Sequence, residues 1–265
     1  MKLKVLSLLG LAFILLLPSC LEYETTLTLN QDGSGTITEE VMLTPQVLGM
    51  LGLGAPQGGD NPLDAWKKEE NVQKKAASYG KGVTLVKAED LKGKDGAKGL
   101  RLIYNFRDIN DVTWNPSGNL DSMMSFQADD LEFESKEQEV VTFLFKNGRL
   151  IVQLPNPEKD EQIEDVEGID PDGPMVAEMK KQMKGMKMSA KIVIADGIAK
   201  TTASHHKDKT ISLYELDMDE MMKKPGNFEK VIKLGPLKPG DHAEALKDID
   251  GIKAETEKEI VVILK

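Results

Sequence analysis

The chain is poor in the residues that build most recognisable chemistry. It has one cysteine, Cys20, in 265 residues. No intramolecular disulfide can form, and three histidines are too few for a zinc site of the Cys/His type. Aromatic residues make up 5% of the chain, and positive charge is in deficit: 34 Lys and Arg against 44 Asp and Glu, a formal net charge of -10. An acidic chain with no basic block is a poor nucleic-acid binder. No apolar run reaches the roughly 20 residues that a bilayer crossing needs. The motifs Gly-x-Ser-x-Gly, His-Glu-x-x-His and Gly-x-x-x-x-Gly-Lys-Ser/Thr are absent. Acids are too numerous for any pair to stand out as a catalytic couple. The chain therefore reads as non-enzymatic, and no cofactor is expected. What is present is an apolar fraction of 40%, enough for a real core, and a length suited to one or two domains.

The start of the chain reads as an address. Lys2 and Lys4 precede an apolar run, Val5 to Leu17, broken only by Ser7 and Gly10. A basic start followed by a short apolar region is the pattern of a signal peptide. The run ends Leu17-Pro18-Ser19-Cys20. A leucine three residues before the only cysteine, and a small residue just before it, resemble a bacterial lipobox. The resemblance implies a lipoprotein signal peptide over 1–19, cleavage between Ser19 and Cys20, and diacylation of the Cys20 thiol. Acylation of the new amino group, with palmitate as the typical chain, often follows. It also implies a cell-envelope protein held on a membrane through Cys20. Leu21 stands where Asp would signal inner-membrane retention, so the implied address leans to the outer membrane. The alternative is a plain secretory signal cut nearby, with Cys20 free or buried. Two or three acyl chains, at about 0.8 kcal/mol per buried CH₂, would anchor the protein almost irreversibly. An acidic body is repelled by anionic lipid, so the body is expected to face water.

The body alternates strand and helix signals. Tyr23, Thr25, Leu27 and Leu29 share one strand parity, and Ile37, Val41 and Leu43 resume it after the turn cluster Asn30–Gly35, which predicts a β-hairpin. Leu48 to Pro62, rich in glycine, reads as a loop. Asn61-Pro62-Leu63-Asp64 reads as a helix start, with Asn as cap and Pro at the first position. The helix is expected to run to about Tyr79 and stop at Gly80. Val83–Ala88 and Leu100–Phe106 read as strands around the turn Gly93–Gly99. Asn147-Gly148 predicts a tight hairpin in which Phe145 faces Leu150, Phe143 faces Val152 and Val141 faces Leu154. Pro155 to Pro174 reads as an acidic linker or surface loop. Met175, Val176, Met179, Met183 and Met186 recur near helical spacing between lysines, an amphipathic helix over 175–187. Ile192–Ile194, Ile198–Ser204 and Ile211–Leu216 read as a three-strand meander. Helical patterns return near Met218–Lys223 and His242–Asp248, and Ile260–Leu264 reads as a closing strand. Without βαβ regularity this mixture predicts an α+β fold: a curved, mainly antiparallel sheet of hairpins with a few helices packed on it.

A cysteine followed at once by a hairpin carrying Asn30-Gln31-Asp32-Gly33-Ser34-Gly35-Thr36 resembles bacterial lipoproteins of the LppM-domain type. So do the later blocks Met188–Gly197 and Lys209–Leu216. That resemblance implies a single α+β domain, helices on one curved sheet, an apolar cavity, and lipid or glycolipid handling at the envelope. The domain would span 20–235, with 236–265 a C-terminal helix-strand extension packed on it.

Few residues stand out for chemistry. His205-His206, with Asp208 nearby, could seed a metal site, but neighbours on a strand point to opposite faces and the stretch reads first as a solvated turn. Asp32-Gly33-Ser34-Gly35 and Asp170–Gly173 lack the spacing of a calcium loop and read as turns. Two functional classes stay open. One is a binding module holding a lipid or other amphiphile in a cavity walled by Met175, Met179, Met183, Met186, Phe143 and Phe145, since methionine adapts to irregular apolar guests. The other is an interaction protein presenting its sheet surface to an envelope partner. A large cavity would favour the first, and a filled core with an exposed apolar patch the second.

Overall fold

A computed structural model describes residues 21–53, 62–116, 140–155, 173–234 and 246–265. The chain folds as α+β, with thirteen strands and six helices among the described residues. Ser19 and Cys20 lie outside them, as do the rest of the signal region and the acidic stretch 156–172.

β1 (Leu21–Leu29) and β2 (Gly35–Leu43) form the expected hairpin, paired from Leu21↔Leu43 to Leu29↔Gly35. Alternate side chains fall on opposite faces of a strand. Tyr23, Thr25, Leu27 and Leu29 are accordingly buried, as are Ile37, Val41 and Leu43, while Glu24 is exposed and Glu22, Thr26 and Glu40 lie on the outer parity. The turn depends on Gly35, where a Cβ would collide with the Thr28 carbonyl and crowd the Phe106 ring.

β3 (Thr84–Lys92) and β4 (Lys98–Phe106) extend the sheet beyond β2. On the other side β1 pairs with β8 (Lys187–Ile194), which pairs with β11 (Thr210–Asp217). The two-residue β10 (His206–Lys207) and β12 (Ile252–Ala254) both add to β11, giving an eight-stranded sheet. The β1–β8 pairing is parallel, so the sheet is mixed.

A second, antiparallel sheet runs β5 (Thr113–Trp114), β6 (Val141–Lys146), β7 (Arg149–Gln153), β13 (Glu259–Leu264) and β9 (Ile198–Thr201). The Asn147-Gly148 turn sits where the sequence puts it, with both residues at positive φ (51° and 71°) and the pairs Phe143↔Val152 and Phe145↔Leu150. Asn and Gly tolerate that left-handed backbone, and it matches the strand twist. The expected meander does not form. β9 leaves β8 at the Gly197 turn and pairs with β13 instead, because its partner strand comes from the end of the chain. β13 therefore lies inside the second sheet, between β7 and β9.

The buried residues of both sheets share one core, from Leu27, Ile37 and Tyr104 on the first to Phe143, Leu150 and Val262 on the second. Each fully buried aliphatic or aromatic side chain contributes about 1.5–3 kcal/mol. This two-sheet packing replaces the single curved sheet that the family resemblance implied.

The helices depart from expectation in detail. α1 (Pro45–Leu53) takes up part of the stretch read as a loop. The helix expected over 62–79 is two: α2 (Pro62–Trp66) and α3 (Glu69–Ser78), broken at Lys67 and Lys68. α3 lies along β3, with Val72 and Ala76 buried. α4 (Pro174–Met183) is shorter than 175–187, because Gly185 turns the chain at positive φ and Lys187 opens β8. α5 (Met218–Met222) and α6 (Asn227–Leu234) follow. Of the pattern near His242–Asp248, residues 242–245 lie outside the described residues; Leu246 is helical, and a turn follows at Lys247 and Asp248.

Candidate functional site

Of the six expected cavity residues, the structure places five, and it does not bring the methionines together with the phenylalanines. Phe143 is buried in the two-sheet core and Phe145 packs against its edge, under the hairpin turn at Gly33. Met179, Met183 and Met186 pack instead on a second, smaller cluster of Val176, Met218, Met221, Phe228, Leu246 and Ile249. The side chain of Met175 lies outside the described part. The methionine helix thus faces α5 and α6, not the Phe-bearing sheet, and Lys180 fixes it there through Glu229 (2.6 Å) and the Phe228 ring (5.6 Å to the centroid). Periodicity identified the apolar stripe but could not say which apolar surface it would meet.

The main core holds a polar site that alternation alone conceals. Glu39 sits on the buried parity of β2, between Ile37 and Val41, and is 3% exposed. Its Oε1 accepts the hydroxyl protons of Tyr23 (3.2 Å) and Tyr79, and Lys75 of α3 approaches it at 3.4 Å. Lys75 also lies 5.0 Å from the centroid of the Tyr79 ring, and Tyr79 packs edge-on against Tyr104 at 5.3 Å. Among the described residues, Glu39 Oε2, Thr25 Oγ1, Tyr104 Oη and Trp114 Nε1 are buried and find no hydrogen-bond partner. Burial, and then the neighbouring Glu39 carboxylate, push the Tyr23, Tyr79 and Tyr104 hydroxyls well above the usual tyrosine range, so all three stay protonated donors. Such a group can tie α3 to the sheet. A glutamate on a core parity was the signal for it in the sequence.

The outer faces of the two sheets differ in character. On the eight-stranded sheet, cross-strand ion pairs join Glu24 to Lys191 (2.5 Å), Glu40 to Arg101 (2.7 Å) and Glu215 to Lys253 (2.7 Å). A groove of about 1060 Å³ crosses β1, β8, β11 and β12 at the end where β1 begins, lined by eight Asp or Glu and five Lys. At its edge Asp217 caps α5 by accepting the Asp219 and Glu220 backbone N–H groups, and it pairs with Lys187 at 2.8 Å. A second groove, of about 800 Å³, runs between α3 and β3 over Val72, Ala76, Val83 and Leu85. Among the described residues, neither groove includes Met179, Met183, Met186, Phe143 or Phe145. The outer face of the five-stranded sheet is less polar, with Leu144 57% and Ile263 37% exposed.

His205 and His206 are occupied by backbone: His205 Nε2 meets the Ala254 carbonyl at 3.1 Å and His206 Nδ1 the Ala203 carbonyl at 3.3 Å. Among the described residues no three His, Cys, Asp or Glu side chains converge on a possible metal position. Asp32 caps its own turn through the Ser34 N–H and hydroxyl, and those bonds hold its carboxyl below the usual range. No helix among the described residues is long and apolar enough to cross a membrane.

No family model matches the chain, and no curated protein matches it. Among solved structures it is similar to the NMR structure of the folded domain of Mycobacterium tuberculosis LppM, at 8% identity and a TM-score of 0.32, over 76% of this chain and 84% of that one. A likeness that distant carries no argument about function.

Proposed function

We propose that this chain is a non-enzymatic lipoprotein of the bacterial cell envelope, anchored at Cys20, that presents the open face of its eight-stranded sheet to a protein partner. The observation that carries the reading is the position of that face. β1 begins at Leu21, directly after Cys20, and the large mixed-charge groove lies over the same end of β1. The anchor and the groove thus share one end of the body, within reach of other envelope proteins. Polar, charge-studded surfaces of this kind favour specific encounter over raw affinity. The amphiphile-holding reading rested on methionines and phenylalanines lining one cavity, and these side chains belong to two separate packed clusters.

Two measurements test this. Mass spectrometry of the amino-terminal peptide should show acylated Cys20, and Cys20→Ala should abolish processing at Ser19 and release the protein from membranes. A photo-crosslinker placed at Ser189 on the open face should give a discrete adduct in the native envelope that one at Asp64 does not. Identical labelling from both positions would remove the partner reading, and saturable, displaceable binding of a fluorescent lipid would restore the amphiphile reading in its place.

A further inference from the structure

The outer face of the five-stranded sheet combines exposed apolar side chains with unpaired positive charge. Leu144 lies opposite Ile151, and Ile151 opposite Val261, so three strands contribute one continuous apolar row. Ile263, one step further along β13, is flanked by cations on both sides: Arg149 opposes it on β7 and Lys200 on β9. Lys146 in turn opposes Arg149, a like-charged cross-strand pair that costs stability. Lys146, Arg149 and Lys200 are exposed, and among the described residues none is ion-paired. The one acid on these strands' outer parity, Glu259, sits at the other end, beside Gln153.

This arrangement runs against the rest of the molecule. The chain carries a net charge of -10, and the open face of the other sheet is acidic on balance in its main groove. Each outer face lies on the side of its sheet away from the shared core. One side of the body is thus repelled by a negatively charged surface and the other attracted to it. Basic residues around exposed apolar ones are the pattern of an interfacial membrane contact, where apolar side chains enter the headgroup boundary and cations meet anionic lipid.

We propose that the outer face of the five-stranded sheet is a docking surface for an anionic membrane, so that the body lies on Leu144, Ile151, Val261 and Ile263 with its acidic open face turned outward. The proposal rests on the lipid-anchor reading for what keeps the body near the bilayer. Packed sheets lie about 10 Å apart, so a lipid on the residue before β1 tolerates this posture. It replaces the expectation that an acidic body simply stands off the membrane: net charge repels, but its distribution orients.

The test uses the full acylated protein in vesicles of phosphatidylcholine with or without phosphatidylglycerol. Because acylation consumes the only native thiol, Leu144→Cys and, on the open face, Thr26→Cys can each be labelled singly with a fluorophore. A lipid-borne quencher should quench the label at Leu144→Cys in phosphatidylglycerol vesicles and leave that at Thr26→Cys bright. The quenching should fade in pure phosphatidylcholine and in high salt. Lys146→Glu/Arg149→Glu/Lys200→Glu should lower the docked-to-undocked ratio by at least about 100-fold, at roughly fivefold per cation removed with added repulsion from the new carboxylates. These three side chains are solvent-exposed, so the variant is expected to keep the wild-type circular dichroism and melting temperature. Equal quenching at both positions, or none at Leu144→Cys on anionic vesicles, overturns the proposal. If the protein carries no lipid it will fail to float with the vesicles. The same labels are then read in a Cys20→Ser background with vesicles added to the chain, where docking still predicts quenching at Leu144→Cys on anionic vesicles alone.

Discussion

Replacing Glu39 probes the interior most directly. Glu39→Ala removes the acceptor of the Tyr23 and Tyr79 hydroxyls and the partner of Lys75 in one step. Tyr23 and Tyr79 are 3% and 1% exposed and find no solvent in exchange. An orphaned buried polar group costs about 1–3 kcal/mol, so the two hydroxyls together predict a loss of about 2–6 kcal/mol. Lys75 softens the loss, because its side chain is 19% exposed and can turn outward. Glu39→Gln keeps a carbonyl oxygen for the hydroxyls and loses only the charge, so it should cost clearly less than Glu39→Ala. Lys75→Met on its own should destabilise by leaving the carboxylate buried without its cation, and combining it with Glu39→Gln should recover part of that loss, since the amide still accepts from the tyrosines and no unpaired charge stays buried. Urea unfolding followed by far-UV circular dichroism measures all four. A Glu39→Ala midpoint within error of wild type would mean that the carboxylate is hydrated, and the account of the core around it would fall.

Two further outcomes are expected. Phe143→Ala should cost about 3–5 kcal/mol, because the ring is 7% exposed against Val152, while Thr142→Ala, on the exposed parity, should stay within about 0.5 kcal/mol. Equal losses in thermal melts would contradict the register. Asp217→Ala should cost about 0.5–2 kcal/mol through loss of the α5 cap. Partial burial works against the charged form of Asp217, but the Lys187 bond and the α5 backbone N–H groups outweigh it and hold the carboxyl below the usual aspartate range. Its folded pKa is lower than its unfolded one, so the contribution is present above about pH 4 and is lost as pH falls through the folded value. The gap between wild type and Asp217→Ala should therefore close in acid unfolding. A gap that stays constant from pH 7 down to pH 2 would exclude Asp217 as its source.

Local rules were legible in the sequence wherever one face of a strand was uniform. The parity of Tyr23 to Leu29, the Asn147-Gly148 turn and the Phe143↔Val152 pairing follow from period-two alternation and turn chemistry, which involve only neighbours in the chain or across one hairpin. The apolar stripe of α4 was equally visible. Its destination was not, because a stripe states that a face is buried and is silent on which of two clusters buries it. The parallel union of β1 with β8 and the departure of β9 to β13 join segments far apart in sequence, where nothing local selects the partner. Glu39 was visible on a core parity, but its meaning required Lys75 to arrive from α3, Tyr79 from the cap that ends α3, and Tyr104 from β4. The sequence by itself determined which side chains are buried along the regularly alternating strands, and the composition determined a net negative charge. Only the tertiary structure decided that Lys146, Arg149 and Lys200 gather around Ile263, because charge becomes a surface only when separate strands are placed side by side.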